Sequence, residues 1–196
     1  MVIRHLLGAA LGLVATAAHA APDWGRAGGR LFATDETALA APETGPQAPQ
    51  LPASAQPLQA AVDAAAARHR LDPKLLHALV AVESAYQVRA QSPAGARGLT
   101  QLMAATAKDL GVADRFDPAE NLAGGADYLA RQLVRFGDLK LALAAYNAGP
   151  DRVARLGRVP NIPETQAYVT AVVDCYLALA AGRTIRTTRD CRSAQP

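Results

Sequence analysis

The run Asp72-Pro73-Lys74-Leu75-Leu76-His77-Ala78-Leu79-Val80-Ala81-Val82-Glu83-Ser84-Ala85-Tyr86 decides the fold. Asp72 can cap a helix whose first residue is Pro73, the position where a missing N–H costs least. Leu75, Leu76, Leu79, Val80 and Val82 give that helix a broad apolar face. Leu76, Val80 and Glu83 recur at helical spacing, so a carboxylic acid shares the inward face. Glu83 also falls in the last turn. The negative end of the helix dipole and apolar neighbours both disfavour its ionisation there. A carboxyl kept neutral in this way suits a general acid that donates to a leaving oxygen. On spacing alone, a partly exposed last-turn glutamate with no role is an open reading as well.

Downstream, Ser92-Pro93-Ala94-Gly95-Ala96-Arg97-Gly98 is a tight polar connection, where Gly95 and Gly98 permit turns that other residues resist. Either it exposes Ser92 and backbone N–H groups to a ligand, or it is a solvent-facing turn. A small hairpin between Tyr86 and Arg97 stays open. Leu99, Leu102 and Met103 are expected to begin a helix that stops at Gly111, with Gln101 inside it. Gln101 can both donate and accept, as sugar hydroxyls and acetamido groups require. Met103 is read either as lining an apolar sugar face or as core.

Asp117-Pro118-Ala119-Glu120 reads as a capping box, opening a helix through Leu122, Tyr128, Leu129 and Leu133 to Gly137. Residues 138 to 147 read as a short Ala-rich helix ending near Gly149-Pro150. Tyr146 and Asn147 lie at its end, as sugar contacts or as core and cap. Pro163-Glu164 opens the last long helix, which carries Tyr168, Val172, Cys175, Tyr176 and Leu179. Glu164 sits where the helix dipole favours an ionised carboxylate, the opposite of Glu83. A two-carboxylate glycosidase would need the pair within about 5–9.5 Å. No strand of useful length is read. The fold class expected is all-α, an orthogonally packed helical domain.

The remainder of the chain frames this body. Residues 1–20 read as a cleaved signal peptide: Arg4 and His5 precede the apolar run Leu6 to Ala18, and Ala18-His19-Ala20 fits a cleavage site. Export places the protein in the periplasm. Residues 21–57 are a Pro-rich segment or linker, in which Trp24, Leu31 and Phe32 could dock on the body. The folded body spans 58–182, with a tail over 183–196. Cys175 and Cys191 are the only cysteines, and an oxidising compartment favours a disulfide between them that pins the tail. The same count argues against a zinc site.

The formal net charge of +3 is too small to imply nucleic-acid binding, and signal removal takes only Arg4 from it. The basic tail residues Arg183, Arg186, Arg189 and Arg192 read as a solvated face. No phosphate loop, zinc-protease motif or G-x-S-x-G elbow is present, and His69 and His77 have no evident ligand partners.

The motifs resemble those of the soluble-type lytic transglycosylases, which are close in fold to goose-type lysozyme. The match covers about residues 70 to 177. It rests on Glu83-Ser84-Ala85-Tyr86; on Ser92 through Met103 with Thr106-Ala107; on Asn121, Gly125 and Tyr128-Leu129; on Ala145-Tyr146-Asn147-Ala148-Gly149; and on Ile162-Pro163-Glu164-Thr165 with Tyr168-Val169. The resemblance implies a lysozyme-like catalytic domain over 58–182. It also implies cleavage of the β-1,4 bond between N-acetylmuramic acid and N-acetylglucosamine in peptidoglycan, leaving 1,6-anhydromuramoyl ends. Glu83 would act as acid and then base, without cofactor or metal. Ser92, Gln101, Met103, Tyr146 and Glu164 match substrate-contacting positions, and Ser84, Asn147 and Tyr168 match supports. The implied partners are glycan strands and a secretion, conjugation or appendage complex, with the enzyme a monomer. A hydrolytic muramidase and a non-catalytic wall-binding assembly protein are the alternatives. Two positions depart from the family: Thr100 stands where methionine is usual, and Ala104 where proline often stands. Thr100 is expected to alter a subsite or the packing beside Gln101.

Overall fold

The computed structural model describes residues 56–192, and eight helices form within that span. They are α1 (Gln59–Arg68), α2 (Pro73–Ser84), α3 (Ala104–Asp109), α4 (Pro118–Phe136), α5 (Leu139–Ala148), α6 (Pro150–Leu156), α7 (Pro163–Ala180) and α8 (Thr188–Arg192). The export signal, most of the Pro-rich segment and the docking residues Trp24, Leu31 and Phe32 lie outside the described residues.

The sequence signals at the main helix starts are realised. Asp72 accepts a hydrogen bond from the Lys74 N–H at 2.9 Å, with Pro73 in the first turn of α2. Leu75, Leu76, Leu79 and Val80 are fully buried, each stabilising the fold by about 1.5–3 kcal/mol relative to exposure. α2 packs most extensively on α7, and α4 packs on α5 and α1. Leu122 and Leu129 from α4, Leu143 from α5 and Val172 from α7 complete the core around the α2 leucines. Ala142, Ala144 and Ala145 are buried on α5, where small side chains let neighbouring helices approach.

Two local expectations are corrected and two are refined. Leu99 does not begin a helix: residues 98–101 form a turn, and α3 starts only at Ala104. Gln101 therefore lies outside any helix, with a left-handed φ of 49°. The cause is tertiary, because Thr100 is tied to Asn121 rather than to a helical ladder. The hairpin reduces to two isolated antiparallel bridges, Gln91 with Arg97 and Arg97 with Leu102.

The capping box at Asp117 is half formed. Asp117 accepts from the Glu120 N–H at 2.8 Å, but the Glu120 carboxylate turns to the N–H groups of Ala113 and Asp114. Finally, Gly149-Pro150 does not merely end α5. Gly149 is at once the C-cap of α5 and the N-cap of α6, which Pro150 opens.

The tail folds back on the body. Cys175 on α7 and Cys191 on α8 are bridged, 16 residues apart. A loop of that length contributes about 3 kcal/mol by the chain-entropy account. Ile185, within the tail, is fully buried. Arg183 donates to the Asp190 and Cys191 carbonyls, so this member of the basic patch braces the tail.

Candidate active site

Helix α2 ends by turning sharply. Ala85 and Tyr86 both adopt left-handed backbone, at φ 49° and 61°. Each is unfavourable for a residue with a Cβ, by about 1–2 kcal/mol, so something must hold the turn. Tyr86 does so: its hydroxyl lies 2.8 Å from the Nδ1 of buried His77 and 3.3 Å from the His77 carbonyl, one helical turn or more back on α2. Burial holds the His77 imidazole down to about pKa 4, against a smaller opposing effect of Asp63. The ring is thus a neutral anchor and not a titrating base.

Glu83 sits at the mouth of this turn and lines an open groove of about 400 Å³. Burial pushes its carboxyl up from 4.5 to about 7. One bond opposes that rise: the Tyr168 hydroxyl on α7 donates to Glu83 Oε1 at 2.7 Å. Burial, and then the nearby Glu83, push the Tyr168 and Tyr146 hydroxyls well above the ordinary phenol range. Both tyrosines thus stay neutral donors beside the acid. Glu83 is the only carboxylate that lines its groove among the described residues. A larger concavity of about 500 Å³ between α1 and α4 does not include it.

Tyr168→Phe isolates the one opposing bond. We expect the Glu83 titration midpoint, followed by 13C NMR of its carboxyl, to move above about 7, because a bond that favours the charged form is lost. A midpoint that stays put or falls would show that Tyr168 does not tune the acid.

The expected site residues divide in two. Ser84, Ser92 and Gln101 share the Glu83 groove. Ser84 is buried and donates to the Val80 carbonyl at 3.2 Å, so it serves the helix end. Ser92 Oγ accepts the Ala96 N–H at 3.1 Å and closes the loop on itself. The Gln101 amide donates to the Gly98 and Ala90 carbonyls, at 2.9 and 3.3 Å.

The others, Tyr146 and Tyr168 beside the acid among them, are not among the residues lining that groove. Met103 is exposed as the N-cap of α3, and Glu164 is exposed in the first turn of α7; neither lines the groove. Tyr146 donates to the Thr100 carbonyl at 2.9 Å and packs against Tyr128, supporting the turn behind Gln101. Asn147 Oδ1 accepts from the Thr165 hydroxyl at 2.8 Å, tying the end of α5 to the start of α7.

Asn121 on α4 is the hub behind that turn. Its Oδ1 accepts from the Thr100 N–H and hydroxyl, and its Nδ2 donates to the Arg97 and Arg115 carbonyls, at 2.8 to 3.1 Å. Arg115 in turn donates to the Gly95 and Leu102 carbonyls. A Cβ on Gly98 would fall 2.1 Å from the Arg115 carbonyl, and one on Gly125 would fall 2.4 Å from Thr100 Oγ1. Thr100 is fully buried, so this departure from the family changes packing behind Gln101 and does not reach the groove. Sequence reasoning missed Gln87, Gln91, Thr187 and Thr188 as groove residues. No motif marks them, and only the position of Cys191 hinted that the tail returns.

The comparisons with known proteins agree with this geometry. A transglycosylase of Enterobacteria phage PRD1 is 46% identical over 91 residues, covering 46% of this chain and 34% of the relative. Membrane-bound lytic murein transglycosylase F of Desulfosudis oleivorans is 40% identical over 95 residues, covering 45% of this chain and 21% of the relative. An inactive glutamate-to-glutamine variant of lytic transglycosylase Slt from Pseudomonas aeruginosa superposes with a TM-score of 0.55 at 28% identity, over 65% of this chain and 25% of that one. The chain thus spans about a third or less of the length of these relatives, and the all-α, lysozyme-like fold is shared. Residues 60–169, more than half of the sequence and the whole stretch from before α2 to Tyr168, match the transglycosylase SLT domain, and it is to that family that this chain belongs.

Proposed function

We propose that this protein cleaves the β-1,4 linkage between N-acetylmuramic acid and N-acetylglucosamine in peptidoglycan without water, leaving 1,6-anhydromuramoyl ends. The observation that carries the reading is a single groove carboxyl, Glu83, held near pKa 7 by burial and fixed by Tyr168. A two-carboxylate glycosidase needs a second acid across the scissile bond. Glu164 does not fill that place, because it is exposed and outside the groove. One group can suffice when the sugar supplies its own nucleophile. Protonated Glu83 donates to the glycosidic oxygen as the C1–O bond breaks. The resulting carboxylate then takes the proton of the muramoyl 6-hydroxyl as O6 bonds to C1. The proton count closes, and the acid is restored. The substrate acetamido group is suited to stabilise the cationic centre.

Gln101 Oε1 and Ser92 are read as sugar-facing groups; Ser84, Asn147 and Tyr168 are read as supports. The names of relatives that contain "murein transglycosylase" support the substrate class. The periplasm is the compartment where such a substrate lies, reached through the export signal read over residues 1–20. Among the described residues no helix is long and apolar enough to cross a membrane. A monomer serving a secretion, conjugation or appendage complex completes the reading, with residues 58–182 as its catalytic domain.

Digestion of purified sacculi tests the reaction. We expect muropeptides lighter by one water than the hydrolysed products, read by mass spectrometry. Reducing muramic ends alone would identify a muramidase, and undigested sacculi with retained binding would identify a wall-binding protein.

A further inference from the structure

The groove beside Glu83 is not built from the matched domain alone. The family match stops at residue 169, yet Thr187 and Thr188 line the same groove as Glu83, Gln87, Gln91 and Gln101. Their position is fixed on several sides. Cys191, three residues beyond Thr188, is bridged to α7. Asp190 Oδ2 accepts the N–H groups of Arg186 and Thr187, at 2.9 and 2.8 Å, and the Thr187 hydroxyl at 3.2 Å. Ile185 anchors the segment in the core. A tail braced in this way is a wall and not a loose end.

The wall's chemistry is specific. It joins two threonines, three glutamines and one acid in the same lining, with no fixed positive charge among the lining residues. Hydroxyls and amides both donate and accept, which matches a neutral, hydroxyl-rich ligand better than a phosphate or a nucleic acid. Thr187, whose hydrogen goes to Asp190, keeps lone pairs for accepting.

We propose that Thr187 and Thr188 are sugar-contacting, specificity-determining residues, forming a groove wall that this chain adds from its C-terminal tail to the SLT domain. The proposal rests on the reading of the Glu83 groove as the glycan-cleavage site. It makes the tail after residue 182 part of the working site and not an appendix to it.

The test uses the full chain on uncrosslinked glycan strands released from sacculi. Thr188→Ala should raise KM by roughly two- to tenfold with kcat nearly unchanged, the effect of one lost hydrogen bond to a bound ligand. Thr188→Trp should fill the groove and lower kcat/KM by more than about tenfold, through KM. Melting temperature and the Glu83 titration are followed in both variants and should match the parent. A Thr188→Trp enzyme with the parental KM overturns the proposal, whatever its kcat. If that variant melts early, the Thr188→Ala KM decides, and a parental value there overturns it. Glu83→Gln runs alongside: cleavage that survives in that control sinks the glycan-cleavage reading itself, whichever way the threonine variants fall.

Discussion

Glu83→Gln is expected to lose glycan cleavage by about 10²–10⁴-fold or more, because one group serves as both acid and base. The fold should survive, since glutamine keeps an oxygen for the Tyr168 hydroxyl that now donates at 2.7 Å. Stability gives a second, independent signature. The carboxyl titrates near 4.5 when unfolded and about 7 when folded, so between those values the native state holds the extra proton. Stability therefore falls as pH rises from about 4.5 to 7, and the full cost remains above 7. A shift of this size corresponds to about 3 kcal/mol, and partial exposure lowers it to the order of 1–3 kcal/mol. The glutamine variant should escape that cost. It should melt higher than the parent at pH 8 and about equally at pH 4. Equal melting at both pH values would mean that the carboxyl is not held neutral. For the parent enzyme, activity should decline as pH climbs through about 7, where the acid form is lost.

The largest loss of stability is expected from Asn121→Ala. Asn121 is almost fully buried, and one side chain satisfies the Thr100 N–H and hydroxyl and the Arg97 and Arg115 carbonyls. Alanine removes all of these at once; the Thr100 hydroxyl keeps the Asn121 carbonyl and the Arg97 carbonyl keeps the Leu102 N–H, but the Thr100 N–H and the Arg115 carbonyl are left without that partner. Each such group costs about 1–3 kcal/mol. With some relaxation the total should reach about 3–5 kcal/mol, or a fall in Tm of roughly 10–20 °C. Urea unfolding would measure it. A loss below about 1 kcal/mol would show that the turn carrying Gln101 holds without this clamp.

The readable parts of the sequence were those governed by neighbours along the chain. Asp72-Pro73, Asp117-Pro118 and Pro163 each mark a helix start with local chemistry, and each start is found where it is read. The spacing that put Glu83 on the α2 face held for the same reason, and the all-α fold followed. What stayed hidden depends on partners far away in the chain. Leu99 to Met103 has the apolar spacing of a helix, but Thr100 is bound to a residue 21 positions on. Glu120 looked like the returning half of a capping box, but the N–H groups of Ala113 and Asp114, seven and six residues back, claim it. Tyr168 meets Glu83 across 85 residues, and only the family motif named it as a support. Met103 and Glu164 carried the same motif-based expectation and lie outside the groove.

Thr100 and Gly125 divide one small volume, the threonine occupying the space that a side chain on α4 would need. Graft design has to respect that division. Placing methionine at position 100, with α4 left as it is, asks a bulkier side chain to fit the notch that Thr100 now fills. The exchangeable module is therefore the loop together with its helix, and chimeras cut between them join halves shaped for different fillings.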